Sequence, residues 1–63
     1  MEKRVYYRYN SVDLDIVIEH IKSGIPCFIT REYVEMNYSK VEFIARAEDI
    51  SYIQQLMDLI KEA

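Results

Sequence analysis

The segment Ile25 to Ala47, IPCFITREYVEMNYSKVEFIARA, constrains the fold more than any other part of the chain. It reads as a β-hairpin flanked by two amphipathic helices, with one further strand ahead of the first helix. From Ile25 to about Val34, β-branched and aromatic residues favour a strand, with Ile25, Cys27 and Ile29 on one face and Phe28 and Thr30 on the other. Both faces are partly apolar, so this strand does not say which of them is buried. Met36 to Lys40, with Asn37 and Ser39, reads as a turn longer than the tight two-residue kind. Lys40 to Ala47 alternates more cleanly, with Val41, Phe43 and Ala45 inward and Glu42, Ile44 and Arg46 outward.

The flanks follow from the same patterning. Lys3 to Tyr9 is short, β-branched and aromatic, which is strand chemistry; Val5, Tyr7 and Tyr9 are expected to face the core and Arg4, Tyr6 and Arg8 to face away. Asn10 or Ser11 then caps a helix, and Asn10 with Asp13 three residues on resembles a capping box. Leu14, Val17, Ile18 and Ile21 recur at helical spacing, predicting a helix from about Val12 to Ser23, with Gly24 set to take a left-handed C′ position and Pro26 to block continuation. Glu48 and Asp49 mark a second helix start. Ile50, Ile53, Met57 and Ile60 form its core stripe to about Glu62, and Tyr52, Leu56 and Leu59 widen it beyond what one neighbour can cover.

With 63 residues, one glycine and one proline, positions 1–63 are expected to form a single domain without a linker. Such a domain buries only about 60% of its unfolded surface, and its core supplies roughly 3–5 kcal/mol of net stability. Cys27 is the single cysteine, so no disulfide forms within the chain, and a lone thiol fits a reducing compartment. With His20 it supplies at most two of the four ligands of a structural zinc, so neither metal nor cofactor is expected. The remaining way to support a thin core is self-association. No stretch approaches the roughly 20 apolar residues of a membrane span, and MEKRVYYRYN lacks the apolar centre of a signal peptide, so the expected setting is the cytoplasm, without a membrane partner.

Strand, helix, strand, strand, helix is the resulting order. A right-handed crossover makes the first two strands parallel and the hairpin makes the last two antiparallel. With the third strand between the others, the expectation is an α+β two-layer domain with a three-stranded mixed sheet and both helices on one face. That topology is similar to the ferredoxin-like superfold without its last strand, a resemblance of topology that rests on no sequence motif. The superfold hosts many unrelated activities, so the resemblance implies a fold and little function. It does imply a vacancy. The missing strand would pair with the first, leaving Lys3 to Tyr9 an edge that invites another strand. The expectation is a homodimer formed either through this edge, with Val5 and Tyr7, or through the helix surface of Tyr52, Leu56 and Leu59.

Catalytic chemistry finds little support. One glycine excludes a glycine-rich phosphate loop, and there is no HExxH helix, CxxC pair or Ser-His-Asp order. His20 sits where it complements a helix dipole, Cys27 reads as a small buried hydrophobe, and the carboxylate pairs Asp13/Asp15 and Glu48/Asp49 lie at helix starts, where the dipole accounts for them. The expected function is therefore a non-enzymatic interaction or regulatory module that binds a protein partner of unidentified kind. Six tyrosines suit contact surfaces of that type. One alternative is single-stranded nucleic-acid binding through an open sheet face carrying Arg4, Tyr6, Arg8 and Arg46, since an aromatic between arginines can stack a base and grip phosphates. The formal charge of −3, the outward Glu42 and the absence of an RNP1 pattern weigh against it. Another alternative is a small ligand held at a dimer seam.

Overall fold

A computed structural model of the chain describes residues 1–60. Five elements follow one another: β1 (Glu2–Tyr9), α1 (Val12–Gly24), β2 (Phe28–Glu35), β3 (Tyr38–Ala45) and α2 (Ala47–Asp58). The strands form one sheet in the order β1-β3-β2, and both neighbours run antiparallel to β3. The sheet is therefore antiparallel throughout rather than mixed. β1 and β2 do point the same way, but β3 separates them, so no parallel ladder forms.

The clean alternation of β3 is the backbone of the core. Ser39, Val41, Phe43 and Ala45 are fully buried, while the residues between them are half exposed. Onto that buried face pack Leu14 and Ile21 from α1, and Ile50, Ile53 and Met57 from α2, with Ile60 closing the cluster. Both helices thus lie on one face of the sheet and the other face is uncovered. Among the described residues no helix is long and apolar enough to cross a membrane.

The first strand is turned over relative to its expected phase. The β1–β3 register sets Arg4 opposite Phe43, Tyr6 opposite Val41 and Arg8 opposite Ser39. Arg4, Tyr6 and Arg8 therefore share the helix side, and Val5, Tyr7 and Tyr9 face away. Tyr6 belongs to the core, its ring meeting Phe43 edge-on at 5.9 Å between centroids. The physical reason is that a strand has period two, so a one-residue change of phase exchanges its faces. An arginine also tolerates the inner face if its stem packs and its head reaches an edge. Arg8 does so: its guanidinium lies 5.2 Å from the Tyr6 ring centroid and 4.0 Å from Asp58 at the end of α2.

Several local details also differ from expectation. The hairpin turn is the two-residue Met36–Asn37, with β3 already beginning at Tyr38. Asn37 takes a φ of 81°, a left-handed value that asparagine tolerates, and an irregularity between Tyr33 and Glu35 absorbs the extra residue Val34. The α1 cap is Ser11, whose Oγ accepts from the Leu14 N–H at 3.1 Å; the Asn10/Asp13 box is not used. Gly24 is the last residue of α1 and has no positive φ; the chain leaves the helix through extended Ile25, whose N–H still bonds the Ile21 carbonyl. A Cβ at Gly24 would meet nothing within 4 Å, so no steric demand explains the glycine. β2 starts at Phe28, since Pro26 has no N–H to give a ladder. α2 ends at Asp58, with Leu59 N–H folding back onto the Leu56 carbonyl; its expected end at Glu62 lies outside the described residues.

Asn10 is spent on a different task. Its Oδ1 accepts from Arg31 at 2.8 Å and from the Ser39 hydroxyl at 2.5 Å, Arg31 Nε donates to Ser39 Oγ at 3.1 Å, and another guanidinium nitrogen reaches Asp15 at 2.7 Å. One arginine on β2 thus fastens the β1–α1 loop, α1 and β3 together. It also satisfies Ser39, the buried polar residue of the central strand.

Candidate interaction site

The outer edge of β1 can be read group by group. The Asn10 N–H donates to the Asn37 carbonyl at 2.6 Å, one step beyond the Tyr9–Tyr38 pair of the β1–β3 register. In an antiparallel ladder, hydrogen-bonded pairs alternate with non-bonded ones. Counting back from Asn10, Arg8, Tyr6, Arg4 and Glu2 turn their backbone groups to β3, and Lys3, Val5, Tyr7 and Tyr9 turn theirs outward. The Arg8 side chain donates to the Tyr7 carbonyl at 3.0 Å, which fits an outward carbonyl. The edge thus offers the N–H and C=O groups of Lys3, Val5, Tyr7 and Tyr9. Val5 is half-buried and Tyr7 exposed, both on the open sheet face.

The second surface expected from sequence is a separate one. Asp58 marks the flank of α2 that overhangs β1, through its contact with Arg8. At 3.6 residues per turn, Leu59, Tyr52 and Leu56 lie roughly 100–160° around the helix from it. They face away from the β1 edge. Leu56 is half-buried against the core, whereas Tyr52 and Leu59 are exposed, as are Val12 and Ile16 on the outer side of α1. Sequence patterning missed the last two because the Leu14 stripe already accounts for that helix.

Arg4, Tyr6, Arg8 and Arg46 do not come together on the open face. The first three lie on the helix side of β1. Arg46 stands at the start of α2, 66% exposed in its side chain, and pairs with Glu48 at 3.4 Å and Asp49 at 3.3 Å. The open face carries instead Lys40 and Glu42, 3.2 Å apart, with Phe28 and Ile44 toward one end. The Glu42 hydrogen bond and charge hold the Lys40 amine above its ordinary pKa. At the other end the Tyr9 and Tyr38 rings lie 4.1 Å apart, and Tyr7, Val34, Glu35 and Tyr38 line a shallow depression of about 360 Å³.

The Tyr6 hydroxyl is buried and has no hydrogen-bond partner among the described residues. Burial raises its pKa, against the lowering influence of Arg4. Tyr6→Phe is therefore expected to leave stability unchanged or raise it by up to about 1 kcal/mol, because a buried hydroxyl that makes no bond loses its hydration for nothing. Urea unfolding checks this, and a clear loss of stability would show that the hydroxyl has a partner in solution. Burial likewise raises the Cys27 thiol pKa, with Asp49 adding to it, which lowers the thiolate fraction at neutral pH. Among the described residues no three His, Cys, Asp or Glu side chains cluster in a way that could hold a metal ion.

These features define the chain as a two-layer α+β domain with an open sheet edge and an uncovered sheet face. Comparison with family models, curated proteins and solved structures returned no match.

Proposed function

We propose that this chain is a small non-enzymatic protein-interaction module of the cytoplasm, a single domain that works as a homodimer joined through the β1 edge. Its topology reads as the ferredoxin-like pattern lacking the strand that would flank β1. The observation that carries the proposal is the outward set of backbone groups on Lys3, Val5 and Tyr7, a ready template for one more strand. A second copy of the chain is the occupant that brings an identical edge and added core support to a domain this small. Tyr7 and the neighbouring depression support a second reading, a small ligand held beside the dimer seam.

Sedimentation velocity tests the dimer, with a dimer expected at micromolar concentration. Val5→Pro is the selective variant. Proline removes an N–H that β3 does not use and suits an edge strand, so the fold, followed by circular dichroism, should persist while the dimer is lost. A wild-type chain that stays monomeric and folded, or a Val5→Pro variant that stays dimeric, would overturn the edge reading.

A further inference from the structure

Resting on the dimer reading above, we infer that the two copies of β1 pair antiparallel with Val5 on the two-fold axis, so that Lys3 faces the partner's Tyr7, Arg4 the partner's Tyr6 and Glu2 the partner's Arg8. Symmetry narrows the choices first. A two-fold axis through an edge-to-edge antiparallel pair stands perpendicular to the sheet, so residues facing each other lie on the same side of the joined sheet. Helix-side residues of β1, which are Glu2, Arg4, Tyr6 and Arg8, can oppose only helix-side residues of the copy. That requirement leaves registers centred on a residue of the strand.

Charge then decides among them. Centring on Arg4 sets Arg4 against its own copy, and centring on Tyr6 sets Arg4 against Arg8 at both ends; like charges directly opposed destabilise a ladder. Centring on Lys3 or Tyr7 shortens the ladder and leaves part of the outward backbone unpaired. With Val5 at the centre, no like charges meet. Glu2 gains a cation, and Arg4 and Lys3 each lie beside a tyrosine ring. The backbone phase agrees, because the outward residues Lys3, Val5 and Tyr7 then form hydrogen-bonded pairs with the copy's Tyr7, Val5 and Lys3. Arg8, which caps the Tyr7 carbonyl at 3.0 Å in the single chain, yields that carbonyl to the incoming Lys3 N–H and turns toward the partner strand's Glu2.

Thiol cross-linking with a short bifunctional reagent reads the register directly. In a Cys27→Ala background, facing residues of a hydrogen-bonded pair have Cα atoms about 5.5 Å apart, with Cβ atoms too far apart for an unstrained disulfide but within reach of a short bifunctional thiol reagent. Val5→Cys should cross-link to itself with such a reagent. Lys3→Cys and Tyr7→Cys should each stay uncross-linked alone, because each lies about 13 Å from its own copy, and should cross-link when the two variants are mixed. All three positions lie on the uncovered face, so folding, checked by circular dichroism, is not at issue. A dimer in sedimentation whose Val5→Cys form does not cross-link, or whose Lys3→Cys form cross-links to itself, would overturn the register and leave the dimer standing. A monomer by sedimentation with no cross-link in any variant would overturn both.

Discussion

Phe43→Ala is expected to abolish cooperative folding of this chain. Phe43 sits at the middle of the core on the central strand, fully buried, with Tyr6 against its edge and both helices packed over the same face. Truncating a buried phenylalanine costs about 3–5 kcal/mol, the lost transfer energy plus the cavity left behind. A single core of this size supplies only roughly that much in total. The ring also comes from the strand that bonds both neighbours, so no edge can relax inward without breaking a ladder. Thermal and urea transitions followed by circular dichroism should lose their sigmoidal shape. Phe28→Ala is the matched control: Phe28 is 68% exposed on the uncovered face, and its loss should change stability by no more than about 0.5 kcal/mol. Both measurements belong at several protein concentrations, because a dimer would add a concentration-dependent stability. A Phe43→Ala protein that unfolds cooperatively near the wild-type temperature would show that the core does not rest on this ring.

How much of this was legible in the sequence depends on how many constraints bear on each segment. β3 is buried on one face and paired on both edges, and its alternation from Val41 to Ala45 states its orientation plainly. The order of the five elements and the helix stripes follow from the same patterning, and the edge position of β1 is implied by the topology that this order resembles. β1 itself has aromatic and long side chains on both faces, so either phase satisfies its pattern, and its register with β3 is a long-range fact that no local spacing contains. One signal could have found it. Asp58 stands at the C-terminal end of α2, whose last turn holds no basic residue among the described residues to complement the dipole. An acid in that place gains modestly from a nearby cation, and Arg8 comes within 4.0 Å of it from the helix side of β1. The residues expected at an interface divide in the same way: Val5 and Tyr7 are legible as residues of the edge strand but not by the face they take, while the separation of Tyr52, Leu56 and Leu59 from that edge follows from the rotation of α2 that its buried Ile50, Ile53 and Met57 fix. The turn is shorter than its residues suggest because Ser39, a common turn residue, is fully buried here, with its hydroxyl taken by Asn10 and Arg31.

Arg31 is where the second large effect is expected. Its guanidinium donates to the Asn10 amide oxygen, the buried Ser39 hydroxyl and the Asp15 carboxylate, so it joins elements distant in sequence through groups that have few other partners. Hydrogen bonds to a charged group contribute about 1.5–3 kcal/mol, and a buried acceptor left short of donors adds to the loss. Arg31→Met keeps much of the stem and removes the fork, and it should cost about 2–3 kcal/mol in urea unfolding. The ion pair with Asp15 is not the source of this, because that carboxylate is largely exposed and a surface pair contributes little. Asp15→Asn should therefore change stability by less than about 0.5 kcal/mol. Arg31→Lys separates charge from geometry: an ammonium restores the charge but cannot donate along several fixed directions, so it should recover less than half of the loss. Full recovery by lysine, or an Asp15→Asn loss equal to that of Arg31→Met, would place the energy in the ion pair and not in the fork that fastens the β1–α1 loop to the central strand.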